Sequence, residues 1–79
     1  MTIQLYYFAL LQDQRGLPGE TLDIEDQTVS QLYASLKSQH GFTLEETALR
    51  VSVNESFVAW DTKVKDGDEV VFIPPVSGG

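Results

Sequence analysis

The chain has 79 residues, 42% of them hydrophobic, with no cysteine and twelve acidic against five basic residues, for a net charge of −7. That length fits one domain, that apolar content excludes a disordered chain, and the absence of thiols excludes a disulfide framework, a thiolate metal site and a cysteine nucleophile. The acidic balance disfavours nucleic acid and anionic membrane as partners and favours a basic protein surface.

Ile3, Leu5 and Tyr7 alternate with Gln4, Tyr6 and Phe8, a period of two that predicts a first strand with apolar groups on both faces. Gly16-Leu17-Pro18-Gly19 is turn chemistry, and Thr21 to Ile24 alternates again, predicting a second strand joined by a hairpin or short connection. Thr28 with Gln31 forms a capping box, and Val29, Leu32, Tyr33 and Leu36 follow at helical spacing. Gly41 is the expected stop, since glycine readily takes the left-handed conformation that closes a helix.

Leu49, Val51 and Val53 alternate with Arg50, Ser52 and Asn54 as a third strand, and Phe57-Val58-Ala59 predicts a short fourth. The Asp66-Gly67 turn introduces Glu69 to Ile73, apolar on both sides as a central strand requires. The order ββαβββ in so short a chain implies an α+β fold, one mixed sheet with the main helix packed across one face. This is the β-grasp, or ubiquitin-like, plan. With the first and last strands side by side in the middle, some of Tyr6, Phe8, Val71 and Ile73 stay exposed as a docking surface.

Conventional chemistry is thinly represented. A domain of this size buries only about 60–65% of its unfolded surface, which leaves little room for a substrate pocket of its own. The single histidine, His40, precedes Gly41 at the predicted helix end, where an imidazolium suits the negative pole of the dipole. Asp66, Asp68 and Glu69 lack calcium-loop spacing, Gly67 sits in no phosphate-binding glycine motif, and the serines accompany no nucleophile motif. Tyr33 and Trp60 read as packing residues. No metal site is predicted. The N-terminal segment lacks the basic flank and small-residue site of a signal peptide, and no apolar run approaches a membrane span, so a cytoplasmic location is expected.

The last six residues differ in character. Residues 1–73 read as the folded domain, and 74–79, Pro74-Pro75-Val76-Ser77-Gly78-Gly79, as an extended tail. Two terminal glycines arise by chance in roughly one chain in 200. The prolines end the last strand and hold the exit extended, so that six residues place the carboxylate roughly 20 Å beyond the sheet. Glycines at the tip pass a narrow channel and leave the carboxylate open to a partner's catalytic groups. A carboxylate is a poor electrophile, so chemistry there requires activation, most simply adenylation with ATP by a second protein.

Tyr7-Phe8-Ala9 with Leu11, the helix start at Thr28-Val29 with Leu32 and Leu36, Val53-Asn54-Glu55, and Asp66-Gly67-Asp68-Glu69-Val70 running through Phe72-Ile73 into the Pro-Pro-Val-Ser-Gly-Gly end together carry a resemblance. Over nearly its whole length the chain resembles the small subunits of molybdopterin synthase, within the ubiquitin-like group that includes the thiamine sulfur carrier. The resemblance implies that Gly79 is adenylated by a ubiquitin-activating-type enzyme, with ATP as that enzyme's substrate and no cofactor bound here. It implies conversion of Gly79 to a thiocarboxylate, threading of Pro75, Val76, Ser77 and Gly78 into the large subunit, and sulfur transfer to cyclic pyranopterin monophosphate.

By the same resemblance Phe8, Phe57 and Ile73 form the apolar patch that docks on the large subunit; their alternative is core packing. The catalytic basic residues are implied to lie on that subunit, which makes this chain a non-catalytic carrier within a sulfurtransferase. The resemblance also implies assembly with that subunit, as a heterotetramer or in another stoichiometry. One departure stands out: where the family often carries an arginine and a glutamate after the first strand, this chain has Gln12 and Asp13, with Arg15 displaced. Three other readings remain: a sulfur carrier for thiamine or another pathway, a protein modifier forming isopeptide bonds, and an interaction module with an inert tail.

Overall fold

The computed structural model describes residues 1–75. Its elements in chain order are β1 (Thr2–Tyr7), α1 (Ala9–Arg15), β2 (Gly19–Asp23), α2 (Val29–His40), a 3-10 turn (Glu46–Ala48), β3 (Arg50–Val53), β4 (Ser56–Phe57) and β5 (Glu69–Ile73). The strands form one mixed sheet in the order β2-β1-β5-β3-β4. β1 and β5 are parallel and central, and the other neighbours are antiparallel. The α+β plan predicted from the alternating pattern is the one observed.

Strand parity decides the core. Ile3, Leu5 and Tyr7 of β1, Val51 of β3, and Val70 and Phe72 of β5 face inward and are buried against Val29, Leu32, Tyr33 and Leu36 of α2. The helix forms where the sequence signals it: Thr28 accepts from the backbone of Gln31, whose side chain reaches back to the Thr28 backbone. Gly41 closes it at φ 71°, a left-handed position where a Cβ would be strained. Tyr33 sits at the centre of an aromatic cluster with Phe42, Trp60 and Phe72, and its hydroxyl donates to the Leu44 carbonyl at 2.7 Å. Tyr33 and Trp60 are thus packing residues, as their sequence positions suggest.

Three expectations are corrected. The connection between β1 and β2 is a helix, not a hairpin turn, and β1 stops at Tyr7, with Phe8 serving as the N-terminal cap of α1. Nothing local announces that helix: it has seven residues, Phe8 offers no side-chain cap, and Leu11 is its one buried residue. Tertiary contacts hold it instead. Gln14 exchanges two hydrogen bonds with Thr43, and Arg15 reaches Glu20 of β2 through Nε at 2.8 Å and a terminal nitrogen at 2.9 Å. The fourth strand is Ser56–Phe57, one residue earlier and shorter than predicted, because Asn54 and Glu55 make a two-residue turn with both φ positive.

The turn before β5 is also more than a polar loop. Asp68 is buried, accepting from the Lys65 backbone at 2.8 Å and from the Asn54 amide at 2.9 Å, while Asn54 Oδ1 accepts from the Glu69 backbone. These bonds tie the β3–β4 turn to the start of β5. His40 ends α2 half-buried with its ring 5.7 Å from that of Phe42. Among the described residues no helix is long and apolar enough to cross a membrane.

Candidate functional site

The parity that buries one side of the sheet turns Tyr6, Phe8, Val71, Ile73, Arg50, Ser52 and Phe57 to the other. Register lines them up in rows. Tyr6 pairs with Val71, Val71 with Ser52, and Ser52 with Phe57, giving one row across four strands. Phe8 is extended (φ −127°, ψ 154°) and continues the β1 alternation level with Ile73, which pairs with Arg50. The row on the other side of the first, at the start of β5, is polar: Thr21, Gln4 and Glu69. The outer face therefore grades from polar at the start of β5 to apolar at its end.

Exposure separates this face from the core. Phe57 is 64% exposed, Phe8 51% and Tyr6 38%, while Val71 and Ile73 are half-buried. Gly19 lets Tyr6 lie flat, since a Cβ at that position would stand 2.7 Å from the Leu5 carbonyl oxygen and 3.0 Å from the Tyr6 ring. Core packing is thus overturned for Phe8 and Phe57, and the structure brings both to the side of the sheet where Ile73 points.

The chain leaves the sheet at the apolar end of this face. β5 ends at Ile73, Pro74 is buried, and Pro75 is exposed. An open groove of about 400 Å³ runs beside the exit, walled by Ala48, Leu49, Arg50, Phe57, Ile73 and Pro75. Val76, Ser77, Gly78 and Gly79 lie outside the described residues. Across the groove the Arg50 guanidinium rests 5.6 Å from the centre of the Phe57 ring, within cation–π range. Alternation already places Arg50 outward in the sequence, but its approach to Phe57 across a two-strand pairing appears only in the fold.

Electrostatics add no catalytic centre among the described residues. Among the described residues no group of three or more histidine, aspartate or glutamate side chains is placed to hold a metal ion. Burial raises the Tyr33 phenol in the core, and the other shifted groups, Tyr7, Arg15 and Glu20, form a buttress under α1. The Tyr7 hydroxyl donates to Glu20 Oε2 at 2.6 Å, and the same carboxylate takes the Arg15 guanidinium. The Arg15 hydrogen bond holds the Glu20 carboxyl below its ordinary range, and burial together with the Glu20 carboxylate drives the Tyr7 phenol upward. The displaced arginine thus has a place: from one turn further along it anchors the segment that carries Phe8.

Known proteins resemble this chain over nearly its whole length. Residues 5–79 match the model of the ThiS family. The chain is 32% identical to the molybdopterin synthase sulfur carrier subunit of Escherichia coli K12, covering 98% of this chain and 99% of that one. It is likewise 32% identical to the molybdopterin synthase sulfur carrier subunit of Chlamydomonas reinhardtii over the full length of both. Among solved structures it superposes on SAMP1 of Haloferax volcanii with a TM-score of 0.80 and 26% identity, again over the whole of both chains. By sequence and fold, the chain belongs to the ThiS family.

Proposed function

We propose that this chain is the sulfur carrier subunit of a molybdopterin synthase and that its reactive group is the carboxylate of Gly79. The observation that carries the reading is the apolar outer face ending at the tail exit, in a chain aligned end to end with relatives described as molybdopterin synthase sulfur carrier subunits. The patch of Phe8, Phe57 and Ile73 docks on the large subunit, and Pro75 to Gly78 thread its channel. A partner that binds this face receives the tail at its rim.

The chemistry follows from the group at the tip. A Gly79 carboxylate oxygen attacks the α-phosphorus of ATP on a ubiquitin-activating-type partner, and pyrophosphate leaves. A sulfide equivalent from a sulfur donor then attacks the acyl carbon and AMP leaves, which gives the thiocarboxylate. Within the large subunit the sulfur passes to cyclic pyranopterin monophosphate. The carrier supplies position and cargo, while the partner supplies acid–base groups and desolvation. The absence of cysteine suits a sulfur carrier that holds its cargo on a carboxyl group. The cytoplasm is the compartment this reading implies.

Similarity to SAMP1, whose relatives of known structure are described as small archaeal modifier proteins, favours a second reading as a protein modifier. Intact-mass measurement after co-expression with the activating enzyme separates the two. Replacement of one oxygen by sulfur supports the carrier, and ladders of conjugated proteins support the modifier. One residue added after Gly79 is expected to abolish sulfur transfer and leave thermal unfolding unchanged. Sulfur transfer that survives deletion of Gly79 would refute the carrier reading, and conjugation that survives it would refute the modifier reading.

A further inference from the structure

Arg50 stands apart in the charge distribution. The chain has twelve acidic residues for five basic ones, and three of the bases are engaged internally: Arg15 with Glu20, Lys37 with Glu45 at 3.5 Å and Lys63 with Asp26 at 3.2 Å. Lys65, like Arg50, has no ion pair among the described residues, but it lies in the turn before β5, at the far end of that strand from the tail exit. Arg50 has no carboxylate within ion-pair distance among the described residues, although acidic side chains outnumber basic ones more than two to one. It is exposed on the apolar outer face, opposite Ile73, which lies two residues before Pro75, so it stands at the mouth from which the tail leaves.

Its geometry is prepared for a ligand. The Phe57 ring 5.6 Å away restricts the long side chain, and no hydrogen bond among the described residues engages the guanidinium N–H donors, so they can meet a carboxylate through two parallel bonds. The apolar patch and the tail alone define where a partner sits but leave its rotation about the tail axis loosely set. One off-axis charge sets it, because a rotated pose brings Arg50 against apolar or basic surface and costs the desolvation of an unpaired cation.

We infer that Arg50 is a specificity-determining residue, forming an ion pair with an acidic side chain on the rim of the channel that receives the tail. The partner surface is then mixed: apolar where it covers Phe8, Phe57 and Ile73, and acidic at one point opposite Arg50. This rests on the carrier reading for the identity of the partner.

The test is calorimetric titration of the chain with the molybdopterin synthase large subunit of the same organism, at low and high salt. It compares the unaltered chain with Arg50→Glu, Arg50→Gln and Lys65→Glu, the last making the same charge change at the far end of β5. Arg50→Glu is expected to weaken binding roughly tenfold or more at low salt and distinctly less at high salt, with Arg50→Gln between the two and Lys65→Glu within about twofold of the unaltered chain. Thermal unfolding of each variant checks that the fold is intact, and Arg50→Gln carries the comparison if the reversal destabilises the domain. Binding of Arg50→Glu as tight as that of the unaltered chain, or a loss equally large at high salt, overturns the role of Arg50 and leaves the carrier reading standing. An unaltered chain that does not bind the large subunit overturns the carrier reading, and the ion pair with it.

Discussion

Replacing Phe57 by alanine divides one side chain's hydrophobic contribution between folding and docking. Complete burial of a phenylalanine contributes up to about 3 kcal/mol relative to leaving it in water. Phe57 is 64% exposed, so the sheet has realised roughly 1 kcal/mol of that amount and about 2 kcal/mol awaits a partner. The Arg50 guanidinium stacked on the ring adds roughly 0.5–1 kcal/mol that the substitution also removes. Phe57→Ala is therefore expected to raise the Kd for the large subunit by roughly 30-fold, at 1.4 kcal/mol for each factor of ten. It should lower the unfolding temperature by about 6–16 °C, the shift that the roughly 1.5–2 kcal/mol lost from the fold produces in a domain of this size. Phe72→Ala is the contrast: that ring is fully buried, and its loss costs roughly 3–5 kcal/mol of stability. Titration calorimetry and thermal denaturation on the same preparations measure both quantities. If Phe57→Ala lost as much stability as Phe72→Ala while binding its partner unchanged, the assignment of Phe57 to a docking face would be wrong.

Two further predictions concern the frame behind that face. The Glu20 carboxyl lies below its ordinary value because Arg15 donates to it, so its contribution is present above the unfolded value near 4.5 and is lost as pH falls below it. Glu20→Gln should cost roughly 1–2 kcal/mol at pH 7 in denaturant unfolding, with a difference that narrows below about pH 4; a constant gap would show that charge is not involved. The Tyr7 phenol is shifted upward, so its share persists through neutral pH and fades only at strongly alkaline pH. Glu55 occupies the second position of the β3–β4 turn at φ 71°, where glycine is preferred. Glu55→Gly should stabilise the domain by about 1 kcal/mol, read as a rise in unfolding temperature, and a fall would contradict the turn geometry.

Much of the architecture is legible in the order of residues because the dominant signals are periodic and local. Alternation marks β1, β2 and β3, and the Thr28–Gln31 box with the spacing of Val29, Leu32, Tyr33 and Leu36 marks α2, since capping and burial there point the same way. The doubly apolar β5 announces a central strand for the same reason. What alternation cannot supply is which of two apolar faces turns inward, because a period of two is satisfied either way.

The helix α1 is invisible locally because it has no polar cap and a single buried anchor; Glu20 on the next strand and Thr43, far along the chain, hold it in place. The β3–β4 turn is disguised by Glu55 standing where a glycine would have signalled it. Arg50 was legible as outward-facing, but its approach to Phe57 and its lack of an acidic neighbour among the described residues depend on strand register. The candidate site divides along the same line. The Gly-Gly end with its prolines, and the absence of any cysteine, are properties of the sequence itself, since composition and backbone constraint need no tertiary contact to be recognised. The face beside the tail is a tertiary property: Phe8, Ile73, Arg50 and Phe57 come from three separate parts of the chain, and only pairing β1 with β5 and β5 with β3 sets them on one surface.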